Sequence, residues 1–127
     1  MMVNVLVVDD DPGLREGLCL ALDGEFEVRS VASGEEALAE LNRLPALAMV
    51  LDQNMPGMSG LGLLRRLQGR SGPGTILLSS QTDDDLTDLA FDAGAVGVLA
   101  KPCDLGVLRR EIRQAAAECL RGQLHLA

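Results

Sequence analysis

Residues 3–12 read Val3-Asn4-Val5-Leu6-Val7-Val8-Asp9-Asp10-Asp11-Pro12. Up to Val8 the run is β-branched and nearly all apolar, which is the composition of a strand covered on both faces rather than of an alternating, half-solvated one. Three carboxylates then end it. Pro12 suits a first helical turn, where its missing N–H costs nothing. Beyond it Leu14, Leu18, Ala21 and Leu22 recur at helical spacing and predict one buried stripe. A covered strand running into acidic residues and then an amphipathic helix is a βα unit, and the remaining chain is read for its recurrence.

Asp23-Gly24 stops the first helix, and residues 25–31 form a weaker, partly exposed strand. Ser33 caps a helix carrying Ala37, Leu38 and Leu41 as far as Pro45. Residues 47–51 give a third strand, 52–57 a turn, and Leu61, Leu64 and Leu67 a third helix, followed by a Gly/Pro/Ser loop at 69–74. Residues 75–78 are a fourth strand. Asp83, Asp84 and Asp85 then sit in a first turn that favours negative charge, ahead of Leu86, Leu89 and Ala90, and Gly94 closes that helix. Residues 96–100 are a fifth strand, and Asp104 caps a last helix with Leu105, Leu108, Ile112, Ala115, Ala116 and Cys119 at helical spacing. Five such units with right-handed crossovers predict an α/β fold, a doubly wound parallel sheet with helices on both faces. The reading gives one domain over residues 1–121 and a tail or truncated linker over 122–127, with the lone His125 exposed in that tail.

The chain has 127 residues, 47% of them hydrophobic and 24% charged, enough apolar content to bury about 70% of the unfolded surface and to exclude a disordered chain. Lys and Arg number 11 against 19 Asp and Glu, a net charge of −8. Phosphate affinity comes from Lys and Arg, so this balance predicts no direct nucleic-acid binding. Phe26 and Phe91 are the only aromatics, which leaves no stacking platform for single-stranded nucleic acid or a flavin ring. Cys19, Cys103 and Cys119 are odd in number and lack metal-ligand spacing, the usage of reduced thiols in a cytoplasmic protein. No window approaches the ~18 apolar residues of a membrane span.

The polar residues gather just past the strand ends: Asp9 and Asp10 after the first, Asp52 after the third, Ser79 after the fourth and Lys101 after the fifth. Open parallel sheets bind ligands outside those ends, where strand order reverses. In the order 2-1-3-4-5 all five residues line one crevice. Two like charges at ~4 Å cost about 4 kcal/mol at an effective dielectric of 20, and a bound cation relieves that cost. Oxygen-only ligands beside room for a phosphate favour Mg²⁺. Lys101 offers a point charge and Ser79 a hydroxyl to a phosphoryl group, and a carboxylate can serve as the nucleophile that accepts it.

Val5-Leu6-Val7-Val8-Asp9-Asp10, Asp52-Gln53-Asn54-Met55-Pro56-Gly57-Met58-Ser59-Gly60, Leu77-Leu78-Ser79-Ser80 and Lys101-Pro102 together resemble the receiver domains of two-component response regulators, including the single-domain chemotaxis regulator. The resemblance covers essentially the whole chain and implies a flavodoxin-like three-layer sandwich. It implies Asp52 as phosphoacceptor, Mg²⁺ held by Asp9, Asp10, Asp52 and the backbone carbonyl of Asn54, and Ser79 and Lys101 as the groups that sense the phosphoryl. A cis Lys101-Pro102 bond is frequent in the family. Implied partners are a sensor histidine kinase and an effector domain or protein reached through the face of helix four, strand five and helix five, with a homodimer formed on phosphorylation.

The chain departs from the family's habit in the switch region of Ser80, Gln81, Val98 and Pro102. Val98 stands where many receivers carry a Tyr or Phe, Ser80 where Ala is common, Cys103 where Phe is frequent and Ser59 where Asp is frequent. An aromatic rotamer switch therefore cannot operate, and the loop of residues 79–82 and the helix after it become the expected carriers of output. Met55 and Met58 read as packing residues. One rival reading remains: Asp9 and Asp11 resemble the nucleophile and acid/base pair of haloacid-dehalogenase-type phosphatases. It expects a later acidic pair after Lys101 and a cap domain, and it leaves residues 52–60 unexplained.

Overall fold

The computed structural model describes residues 2–126. Its elements are β1 (Asn4–Val8), α1 (Pro12–Leu22), β2 (Glu27–Val31), α2 (Gly34–Arg43), β3 (Ala48–Asp52), α3 (Gly60–Leu67), β4 (Gly74–Ser79), α4 (Asp84–Asp92), β5 (Gly97–Ala100) and α5 (Leu105–Leu126). All strand pairs are parallel, as the alternation of elements predicts, and the sheet order is β2-β1-β3-β4-β5, the order that goes with the family resemblance.

Strand alternation sorts the core into two layers. Leu6, Val8, Met49, Leu51 and Leu77 face Ala37 of α2, Leu61, Leu63 and Leu64 of α3, and Ala90 of α4. Val5, Val7, Ala48, Val50, Ile76 and Leu78 face Leu22 of α1, Phe26, and Leu108, Ile112, Ala115 and Ala116 of α5. Because β1, β3 and β4 feed side chains into both layers, their sequences carry no polar alternation. Each such side chain contributes about 1.5–3 kcal/mol when fully buried.

Ser33 and Asp104 cap their helices as the sequence signals, and the structure adds Asp11, Ser59 and Asp83, the last of which the sequence reading takes as a first-turn residue. Asp11, Ser33, Ser59 and Asp83 each accept a backbone N–H at the start of their helix, and Asp104 takes the N–H of Val107 at 3.0 Å. Met55 is buried and Met58 packs on the same core layer, as packing residues should.

Four details differ from the sequence reading. Leu14 is half exposed rather than part of the buried stripe, because α1 presents Leu18, Cys19 and Leu22 to the core and turns its first residues outward. Leu89 is likewise exposed, which leaves Ala90 as the buried contact of α4. Asp52 and Ser79 are the last residues of their strands, not loop residues, since the ladder extends one pairing further than hydrophobicity indicates. The helical backbone of α5 continues through residues 122–126, which the sequence reading takes as a tail, because Gly122 is followed by no proline to stop it. The side chain of His125 lies outside the described residues.

Candidate functional site

Register brings the acidic residues to one level. Val8 pairs with Leu51, so Asp9 lies beside Asp52; Asp52 pairs with Leu78 and Ser79 with Ala100, so Ser79 and Lys101 follow one and two steps further out. Asp9 donates its N–H to Val31 O at 3.2 Å, and its Oδ1 accepts the Asp11 N–H at 2.9 Å. Asp52 is buried, and its Oδ1 accepts the Asn54 N–H at 3.3 Å. Lys101 donates to Asp52 Oδ1 at 2.7 Å and lies 3.6 Å from Asp9 Oδ2. Carboxylate oxygens of Asp9, Asp10 and Asp52 fall within 4.8 Å of one another. The Lys101-Pro102 bond is cis, as the resemblance implies.

Three carboxylates against one ammonium leave an excess of two negative charges in a partly buried space. Burial above all pushes the Asp9 carboxyl above its ordinary value; the Asp11 N–H and Lys101 pull it down, the charges of Asp52 and Asp10 push it up, and the net shift is upward. Burial works against the Lys101 ammonium, but the hydrogen bond and charge of Asp52, aided by Asp9, outweigh it and hold Lys101 above its ordinary value. An oxygen-only set with surplus negative charge fits a hard divalent cation, whose charge removes the repulsion that raises Asp9.

Glycine is obligatory where α3 begins. A Cβ on Gly60 would lie 2.6 Å from the Asp52 carbonyl oxygen and 2.6 Å from Leu77 Cδ1, so only Gly60 lets the helix start directly against the strand end.

Of the residues singled out in the sequence, Asp9, Asp10, Asp52 and Lys101 are brought together. Ser79 is buried at the adjoining strand end, but its hydroxyl donates to Gln81 O at 2.8 Å and accepts the Gln81 N–H at 3.2 Å, so it is engaged with its own loop. Ser80 donates to Asn54 Oδ1 at 3.2 Å and so links the loops after β3 and β4. Gln81 is exposed. Val98 pairs with Leu77 and packs on the core layer of α2, α3 and α4. Asp11, the second member of the rival phosphatase pair, is spent on the N-cap of α1, where it accepts the N–H groups of Gly13 and Leu14.

Sequence reasoning missed two residues. Gln53 Oε1 accepts the Leu61 N–H at 2.8 Å and moors α3 to the residue after Asp52. Arg15 Nη1 donates to the Asp9 carbonyl at 2.8 Å. Its signal was present: a cation early in a helix is opposed by the helix dipole, so something else must hold it there.

Fold and site define a doubly wound α/β domain whose polar end is an acidic crevice closed by one lysine. Residues 5–113 match the response regulator receiver domain. The chain is 36% identical over 103 residues to the DNA-binding response regulator MtrA of Mycolicibacterium smegmatis, covering 80% of this chain and 45% of that protein. It is 36% identical over 125 residues to the hydrogenase transcriptional regulatory protein HoxA of Cupriavidus necator, covering 96% of this chain and 26% of that protein. Among solved structures, the chemotaxis protein CheY4 of Vibrio cholerae superposes with a TM-score of 0.83 at 27% identity, covering 91% of this chain and 99% of that one. The chain belongs to the response regulator receiver domain family, and it spans half or less of the length of these two curated relatives. Nothing in these likenesses supports the phosphatase reading. Among the described residues no helix is long and apolar enough to cross a membrane.

Proposed function

We propose that Asp52 accepts a phosphoryl group in the presence of Mg²⁺ and that the resulting change at residues 79–93 is the output. One observation carries the reading: the carboxylate oxygens of Asp9, Asp10 and Asp52 lie within 4.8 Å of one another, with Lys101 Nζ 2.7 Å from Asp52 Oδ1. Asp9, Asp10, Asp52 and the Asn54 carbonyl would hold Mg²⁺, which supplies charge neutralisation for an incoming phosphoryl oxygen. Asp52 Oδ attacks phosphorus, the bond from phosphorus to the donor's nitrogen or oxygen breaks, and the leaving group takes that electron pair. Phosphorylation adds about −1.5 to −2 charge beside Asp9. Lys101 then exchanges a carboxylate partner for a phosphoryl oxygen, and the Ser79 hydroxyl gains an acceptor that competes with Gln81 O.

The phosphodonor is a sensor histidine kinase or a small acyl phosphate, and the domain works in the cytoplasm over residues 1–121. With Val98 too small to swing between buried and exposed positions, the Ser79 loop and α4 carry the signal to an effector domain, a partner or a second copy across the α4, β5 and α5 face. Incubation with acetyl phosphate and Mg²⁺ should add the mass of one phosphate. Asp52→Asn should abolish the gain, and excess EDTA should suppress it. A gain that persists in Asp52→Asn overturns the assignment.

A further inference from the structure

We infer that Arg15 is a positioning residue for the acidic crevice: by holding the Asp9 backbone carbonyl it sets the geometry in which Asp9 and Asp10 meet a divalent cation. The inference rests on the metal-binding reading above and concerns a residue to which that reading assigns no part.

Asp9 sits just past the end of β1, where sheet pairing stops. Its N–H still reaches Val31 O at 3.2 Å, while the donor to its carbonyl is Arg15 Nη1 at 2.8 Å. Its Oδ1 takes the Asp11 N–H at 2.9 Å. Three hydrogen bonds therefore hold the residue, beside the Lys101 ion pair at 3.6 Å, and the only one made by a side chain from α1 is that of Arg15. Without it, the Asp9 carbonyl loses the Arg15 donor while the mutual repulsion of Asp9, Asp10 and Asp52 remains, and the residue keeps its N–H bond to Val31, the Asp11 N–H on its carboxylate and the Lys101 charge at 3.6 Å.

The helix dipole makes the N-terminal part of α1 an unfavourable place for a cation, and Arg15 is only half buried there. Arg15 also borders an open depression of about 570 Å³ shared with Ser30, Glu36 and Arg43. The residue thus ties α1 to the strand end while remaining in contact with solvent, and its bond to Asp9 goes to the backbone carbonyl rather than to a carboxylate oxygen.

Charge and position make opposite demands. If Arg15 acted only as a positive charge, removing it would tighten the binding of a cation nearby. If it acts by position, removing it loosens the ligand set and weakens binding, by about 10- to 100-fold for a group that orients a metal ligand. The test is calorimetric titration of the full chain with Mg²⁺ alone. Arg15→Ala should bind more weakly than wild type by that factor, and Arg15→Lys, which keeps the charge and one donor, should fall between them. Labelling by acetyl phosphate should show the same displacement of its Mg²⁺ midpoint in Arg15→Ala, with the wild-type rate regained at saturating Mg²⁺.

Melting curves in EDTA check that the variants fold. If Arg15→Ala lacks a transition, Arg15→Met, which keeps the apolar stem, takes its place. Binding in Arg15→Ala that equals or exceeds wild type overturns the inference, as does Arg15→Lys indistinguishable from Arg15→Ala. A wild-type chain that binds no Mg²⁺ overturns instead the reading on which it rests.

Discussion

The two ends of the one sheet are built from opposite materials. At the carboxyl ends of the strands stand Asp9, Asp52 and Ser79, all buried, with Lys101 reaching across. At the amino ends stand Ala48, Gly74 and Gly97, packed so closely that a Cβ on Gly74 would overlap the Ala115 carbonyl of α5 and one on Gly97 would lie 3.0 Å from a Glu111 oxygen. A groove of about 480 Å³ between the ends of α3 and α5 also opens at that end, bordered by Leu64, Leu67, Arg70 and Cys119. The first end holds like charges together at a cost in stability, and the second supplies packing. Chemistry and stability are therefore separable by mutation, and each of the following changes tests that separation.

The largest effect belongs to the packed end. Gly74→Ala forces α5 away from β4 and should cost about 3 kcal/mol, a fall in Tm of roughly 10 °C for a domain of this size. Phosphate uptake by Asp52, measured by mass spectrometry below the melting range, should keep its wild-type rate. A variant that melts normally but labels slowly would break the separation.

Val98 lies between the two ends. Trimming it to Ala should cost about 1 kcal/mol by denaturant titration. Hydrogen exchange with and without beryllofluoride should still report a change across residues 79–93 while α5 stays unchanged. Loss of that difference in Val98→Ala, or unchanged protection at residues 79–93 in the wild type, would show that the signal leaves by another route.

Asp83→Ala removes the acceptor of the Leu86 N–H, a bond of 2.7 Å at the start of α4. It should cost about 1 kcal/mol and raise basal exchange in α4 without slowing phosphate uptake. Slower uptake in this variant would tie α4 to the chemistry itself.

The smallest effect has the reverse sign. Asp9 has its pKa raised in the folded chain, so between the ordinary carboxylate value and the raised one the native state binds more protons than the unfolded state, and stability falls as pH increases through that window. Below the window the contribution is absent, and above it the penalty is complete. Asp9→Asn should therefore melt a few degrees higher than wild type at neutral pH in EDTA, with the gap closing as pH drops through the window. Adding Mg²⁺ should stabilise the wild type and leave Asp9→Asn behind. A variant that melts lower in EDTA would mean that the Lys101 attraction outweighs burial and repulsion.

Much of this was legible in local pattern. The apolar runs of β1, β3 and β4, the capping residues Ser33 and Asp104 and the stripe of Leu108, Ile112 and Ala115 are properties of a few consecutive residues, and all three signals hold in the fold. The residues of the acidic crevice were legible for the same reason, since a polar residue that ends a covered strand stands at the sheet's edge in any parallel arrangement. The strand order came with the family resemblance, because alternation of elements alone fits more than one winding.

By itself the sequence determined the elements, their direction and which carboxylates and lysine lie at the strand ends, because these depend on spacing along the chain and on the geometry of one βα unit. Only the tertiary structure decided the partners: Lys101 between Asp52 and Asp9, Ser79 bound to Gln81, Ser80 linked to Asn54, Gln53 capping α3, and Arg15 on the Asp9 carbonyl. The exposure of Leu14 and Leu89 belongs with them, since a helix shows its apolar pattern before its tilt on the sheet is set. The physical reason is range. Strand and helix periods are local torsional preferences, whereas the rotamer and partner of a polar side chain depend on which segments, up to tens of residues apart, packing brings within 3 Å.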